Sequence, residues 1–146
     1  KENERGNMPS ARILIVEDER QTVDTLRDMF EQHGYETEVA LNKQVALTIL
    51  QERCMDIAIV STSVQDSSGG DILHEIRKLN AKMPIIMISE QKSKRIESSS
   101  IKAGAKKFLL KPLDYVFVLQ TIENLLEARF ATAIPKKTKK YSKSKR

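Results

Sequence analysis

Four groups of side chains in this 146-residue chain carry most of its chemical potential: the acids Glu17-Asp18-Glu19, the hydroxyls Ser61-Thr62-Ser63, a further hydroxyl at Ser89, and Lys111 followed by Pro112. Each group comes just after a short apolar run: ILIV at 13–16, IAIV at 57–60, IIMI at 85–88 and FLL at 108–110. Runs this short, apolar on both faces, read as strands buried on both sides. In open α/β sheets ligands bind beyond the carboxyl ends of the strands, where the strand order reverses. That edge would gather Glu17, Asp18, Ser61, Ser89 and Lys111. Two carboxylates and an ammonium there can pair with one another without any metal to balance them. Ser61 is a weak nucleophile, since a serine hydroxyl stays protonated near neutral pH and no general base is assigned to it.

The segments between these strands must position them. Val23, Leu26 and Phe30 fall on one helical stripe beside Met29, and Gly34 supplies a stop. Tyr35 to Ala40 reads as a short alternating strand. Asn42 can cap a second helix with Val45, Ala46, Ile49 and Leu50 on its apolar face. After a loop through Asp66 and Gly69-Gly70, Ile72, Leu73, Ile76 and Leu79 mark a third helix. Residues 91–103 predict a weak, mobile fourth helix, because three consecutive serines are mediocre helix formers and only Ile96, Ile101 and Ala103 offer an apolar face. The last helix places Val116, Leu119, Ile122 and Leu126 on one stripe, with Phe130 a turn beyond. Five strands alternating with five helices, joined by right-handed crossovers, make a doubly wound parallel sheet.

The length and 40% hydrophobic content suit one soluble domain with a sizeable core. No apolar run could span a bilayer, and the single cysteine, Cys54, cannot form an internal disulfide, so a cytoplasmic location is expected. Cys54 reads as a small core or boundary residue; His33 and His74 read as surface or capping residues. The net charge of +5 is unevenly spread: residues 136–146 hold seven Lys/Arg and no acid, leaving the remainder mildly acidic. The expected organisation is a disordered segment at 1–10, a folded domain at 11–132 and a basic flexible tail or linker at 133–146. The tail suggests a polyanion contact or simply a solvated terminus.

From about residue 10 to 130 the chain resembles the receiver domain of two-component response regulators. The likeness rests on ILIVEDE, the paired glycines before the third helix, PIIMIS, AGAKKFLLKP and the terminal helix. It implies a flavodoxin-like (βα)5 sheet with strand order 2-1-3-4-5. It also implies a site in which an acid ending the third strand takes a phosphoryl group from a phosphohistidine, with Mg²⁺ and a lysine neutralising the developing charge. By position Glu17 and Asp18 match the metal-binding acids and Ser63 the backbone carbonyl donor. Ser89 matches the switch hydroxyl, Phe108 the aromatic and Lys111 the lysine, although Phe108 also reads simply as core.

The acceptor position holds Ser61, and no single-residue slip of the alignment brings an acid there. Mg²⁺ binding is therefore expected to be weak or absent, with no metal or other cofactor resident. The usual Pro-Gly turn is replaced by Gln65-Asp66, and the bulky Glu90 follows the switch hydroxyl, where it could obstruct a phosphodonor or pair with Lys111. These departures point to a pseudo-receiver: a non-enzymatic, phosphorylation-independent module that binds a signalling protein through its fourth helix, fifth strand and fifth helix. The alternatives are a receiver with another acceptor such as Asp66, an engineered block of the acceptor, or a flavin-binding protein on the same sheet topology. Glu17-Asp18-Glu19 would repel a flavin phosphate.

Overall fold

The computed structural model describes residues 10–65 and 67–131. The segment expected to be disordered before Ser10, the basic tail and Asp66 lie outside the described residues. Five parallel strands form the central sheet: β1 (Arg12–Val16), β2 (Glu36–Ala40), β3 (Ile57–Ser61), β6 (Ile85–Ser89) and β7 (Lys107–Leu110). Their spatial order is β2-β1-β3-β6-β7. This is the expected flavodoxin-like order once the added two-stranded antiparallel unit, β4 (Ser63–Val64) and β5 (Ser67–Ser68), is set aside. The helices are α1 (Arg20–Gln32), α2 (Lys43–Glu52), α3 (Gly69–Leu79), α4 (Lys94–Lys102) and α5 (Tyr115–Ala131). None of the described helices is long and apolar enough to cross a membrane.

The apolar runs of β1, β3 and β6 are buried on both faces because the pleat sends alternate residues into two separate cores, whereas the run in β7, at the edge of the sheet, is only partly covered and leaves Leu110 exposed. Leu14, Val16, Ala58 and Val60 join Ile72, Leu73 and Ile76 of α3 on one side of the sheet. Ile13, Ile15, Ile57 and Ile59 meet Leu26 and Phe30 of α1 and Ile122 of α5 on the other. Side-chain caps begin four helices: Asn42 accepts from Val45 N at 2.9 Å, Ser68 from Asp71 N at 3.1 Å, Ser93 from Ile96 N at 3.2 Å and Asp114 from Phe117 N at 3.2 Å.

Several expected core positions face outward. On α5 the buried residues are Val118, Thr121, Ile122 and Leu126, while Val116 is 67% exposed. The VFVL sequence offers two registers, and the i, i+4 series from Val118 is the one that meets the sheet. On α4 the buried side chain is Ser100, four residues past Ile96; Ile101, one position further round the helix, is exposed. Val45 and Leu79 are exposed at the rims of α2 and α3. Cys54 is exposed too, in the loop before β3, rather than core.

Gly69 fixes the approach of α3 to the end of β3. A Cβ there would lie 2.3 Å from the Ser61 carbonyl oxygen and 2.6 Å from Thr62 Cα, both backbone atoms that cannot rotate away. Gly69→Ala should cost about 2–3 kcal/mol, as overpacking does. Gly70→Ala, with nothing within 4 Å of the added carbon, should be neutral or slightly stabilising in a helix. Denaturant midpoints of the two variants separate these outcomes, and equal midpoints would remove the steric account.

Candidate functional site

The carboxyl edge of the sheet brings together the ends of β1, β3, β6 and β7. Glu17 continues β1 by donating its N–H to the Ala40 carbonyl at 3.1 Å. Its side chain turns inward and is only 1% exposed. Oε2 accepts the backbone N–H groups of Asp18 and Glu19, both at 3.0 Å. Oε1 lies 2.8 Å from Lys111 Nζ, a largely buried ion pair.

Lys111 reaches Glu17 because its own N–H is fastened to the Ser89 carbonyl at 2.8 Å, just beyond β7. Its Nζ also donates to Glu19 Oε1 at 2.8 Å and sits 4.0 Å from Glu90 Oε2. Burial pushes the lysine pKa down, but its contacts and Coulombic attraction to Glu17 and Glu19 outweigh that and hold it above its ordinary value. The Glu19 carboxyl is held below its ordinary value by the hydrogen bonds from Lys111 and Thr22, with the lysine charge adding to them. Glu19 occupies the N-cap of α1 without capping it, because its carboxylate is turned to Lys111 and Thr22.

The expected pairing of both Glu17 and Asp18 with Lys111 is therefore half right. Glu17 and Glu19 hold the lysine, whereas Asp18 Oδ2 accepts the Gln65 N–H at 2.8 Å. That bond fastens the β1–α1 loop to the β4–β5 turn, where Gln65 has φ +47°, in the left-handed region.

Ser61 is the last residue of β3 and is 5% exposed. Its hydroxyl donates to the Ser63 carbonyl at 3.1 Å and lies 3.3 Å from Ser63 N, so the carbonyl expected to serve a cation is occupied by the serine. Ser89 is fully buried, and its Oγ accepts from Thr62 Oγ1 at 2.9 Å and from Gln91 N at 3.0 Å. Phe108 is half-buried and packs against the core on the α2–α3 side. Glu17, Asp18, Ser61, Ser63, Glu90 and Lys111 share the lining of an open cavity of about 320 Å³. Among the described residues no group of three or more His, Cys, Asp or Glu side chains is placed to hold a metal ion.

The sequence assigns no individual role to Glu19 or Thr62, yet the structure gives them hydrogen bonds with Lys111 and Ser89. The signal for Glu19 was its place in the acidic triplet, and for Thr62 its place in the hydroxyl run.

The family model described as response regulator receiver domain matches residues 13–128. The chain belongs to that family. Among solved structures, the receiver is similar to a CheY-like response regulator receiver domain protein from Methanospirillum hungatei JF-1. The TM-score is 0.81 at 27% identity, covering 84% of this chain and 98% of that one. It is also similar to the receiver domain of NtrX from Brucella abortus, with a TM-score of 0.75 at 29% identity, covering 79% of this chain and 98% of that one. Among curated relatives it is 29% identical over 114 residues to the transcriptional regulatory protein ZraR of Salmonella typhimurium. That match covers 78% of this chain but 26% of the relative, so the receiver spans about a quarter of ZraR's length.

Proposed function

We propose that this receiver is a signalling module that works without phosphotransfer and without a resident Mg²⁺. The observation that carries the reading is Ser61 at the end of β3, its hydroxyl turned onto the Ser63 carbonyl at 3.1 Å. The residues present do not fit an octahedral cation. Glu17 is taken up by two backbone N–H groups and Lys111, Asp18 by Gln65, and the Ser63 carbonyl by Ser61. A carboxylate missing from such a site is costly to metal affinity, since opposite unit charges about 4 Å apart are worth about 4 kcal/mol at an effective dielectric near 20, before desolvation.

In this reading the partner is a signalling protein docked on α4, β7 and α5. Leu110, Val116 and Phe117 support the face, being 39%, 67% and 45% exposed where β7 gives way to α5. A phosphoryl group would not be needed to position Ser89, because Thr62 already holds its hydroxyl.

Incubation with acetyl phosphate and Mg²⁺, followed by intact-protein mass spectrometry, tests the proposal. The expected result is an unchanged mass. A hydroxylamine-labile adduct would reveal an aspartyl acceptor such as Asp66, and an acid-stable one serine chemistry; either would overturn the reading.

A further inference from the structure

We infer that Arg77 is the positioning residue that holds α4 in place, by joining the carboxyl ends of α3 and α4 through backbone carbonyls. This deepens the proposed reading, since α4 belongs to its docking face, but the latch is tested without partner or phosphodonor and stands or falls separately.

The first observation is that α4 has little else to hold it. Neither of the two hydrophobic cores contains a residue of α4. Its one buried side chain is Ser100, and it packs beside α3 and β7. At its leading end the Ser93 cap serves the helix's own Ile96 N–H. Ser89 reaches only as far as Gln91, ahead of the first helical residue, Lys94. A helix with so few apolar contacts opens locally at low cost unless polar contacts pin it.

The second observation is where the guanidinium goes. Arg77 stands in the last turn of α3, and its Nη1 donates to the Met83 carbonyl at 2.7 Å and to the Asn80 carbonyl at 3.2 Å. Nη2 donates to the Gly104 carbonyl at 2.9 Å, 27 residues further along the chain. Gly104 closes α4 just past its C-cap, Ala103. The Gly104 N–H donates to the Ile101 carbonyl and the Ala105 N–H to the Ser100 carbonyl, both at 3.0 Å, the paired bonds of a Schellman turn, and Gly104 has φ +112°. Among the described residues Arg77 makes no salt bridge. Burial pushes its pKa down, yet an arginine stays charged, so its counter-charges are these carbonyls.

Electrostatics gives the arrangement its sense. α3 and α4 lead into the parallel strands β6 and β7, so both finish at the amino edge of the sheet. Each ends with about half a negative elementary charge on its unpaired carbonyls, and two such ends side by side repel. One cation shared between them turns that repulsion into attraction. The planar fork of arginine has donors enough to serve both ends at once, whereas the point charge of a lysine answers one. Gly104 completes the fit, because a Cβ there would lie 2.9 Å from Arg77 Nε and push the guanidinium away.

Hydrogen exchange of the full chain, read by mass spectrometry, tests this. Arg77→Lys keeps the charge on α3 and releases Gly104. Amides in 97–106 should then exchange at least about tenfold faster, while those of β1 and β3 change much less. Arg77→Ala should enlarge the same local effect and also lower the denaturant midpoint, because three carbonyls lose their donor. Gly104→Ala should loosen the same amides, but by less in the Arg77→Ala background, where the atom it displaces is gone; backbone strain at residue 104 is common to both arms of that cycle. The proposal fails if Arg77→Lys leaves exchange over 97–106 unchanged, or if all strands speed up by the same factor, which would make Arg77 a contributor to global stability only. It also fails if the effects of Arg77→Ala and Gly104→Ala simply add. Phosphoryl uptake from acetyl phosphate would overturn the phosphotransfer-independent reading and leave this exchange pattern as it is.

Discussion

Ser61→Asp should give this protein a measurable affinity for Mg²⁺, which on the proposed reading the unmodified chain should not show. The substitution places a carboxylate at the end of β3, in the cavity already lined by Glu17, Asp18 and the Ser63 carbonyl. Losing the serine removes the donor that occupies that carbonyl at 3.1 Å, so one oxygen ligand is freed as another is added. Even half of the roughly 4 kcal/mol available to an ion pair at an effective dielectric near 20 is more than tenfold in affinity. Without metal the same change should cost about 1–3 kcal/mol, because a new charge enters a site that is 5% exposed and already acidic. The melting temperature should therefore fall in EDTA and recover with Mg²⁺, whereas the unmodified protein should respond to neither. A variant indifferent to Mg²⁺ would mean that the Lys111 cluster, rather than the missing carboxylate, keeps the cation out.

The sheet was legible because its physical signal is coarse. A run such as Ile57 to Val60 can only be buried on both faces, and the order of the strands then follows from alternation and handedness. Helix registers were less legible where apolar residues are either too many or too few. α5 offers Val116, Phe117, Val118 and Leu119 in succession, and only packing against the sheet selects Val118. α4 offers so few that Ser100 is the side chain buried there. The β4–β5 turn has no local sequence signal, because Gln65 is not a residue that favours a positive φ; Asp18 holds it from a distant loop.

At the site, residue types were readable and partners were not. Acids, hydroxyls and a lysine at one sheet edge follow from where strands end. Which acid faces the lysine depends on a single residue's turn of the chain at the start of α1. Glu19, in the capping position, points to Lys111, and Asp18 points away to the hairpin. The Thr62–Ser89 bond likewise joins residues 27 apart in sequence, across two neighbouring strand ends.

The energetic centre of this arrangement is the pair Glu17–Lys111, and Lys111→Met should destabilise the protein by about 3 kcal/mol, the lower end for breaking a buried ion pair. Glu17 is 1% exposed and the lysine is 12% exposed at its side chain, so removing the ammonium leaves a carboxylate with neither water nor counter-charge at Oε1. The two backbone N–H groups on Oε2 remain, which keeps the loss from being larger. Glu19→Gln should cost much less, under about 1 kcal/mol, because its side chain is half exposed and screened. Adding Glu17→Gln to Lys111→Met should recover most of the loss, since the uncompensated charge is then gone, and a double-mutant cycle measures the coupling. The dependence on pH follows from the shifts at the two partners. Lys111, raised above its ordinary value, contributes stability that is present below the unfolded pKa and lost as pH rises through the folded one. Glu19, lowered, contributes stability that is present above its unfolded pKa and lost as pH falls through the folded one. The gap between the unmodified protein and Lys111→Met should thus be widest and level from about pH 5 to pH 10 and narrow on both sides. A gap that stayed the same at every pH would show that the lysine stabilises the fold through packing rather than charge.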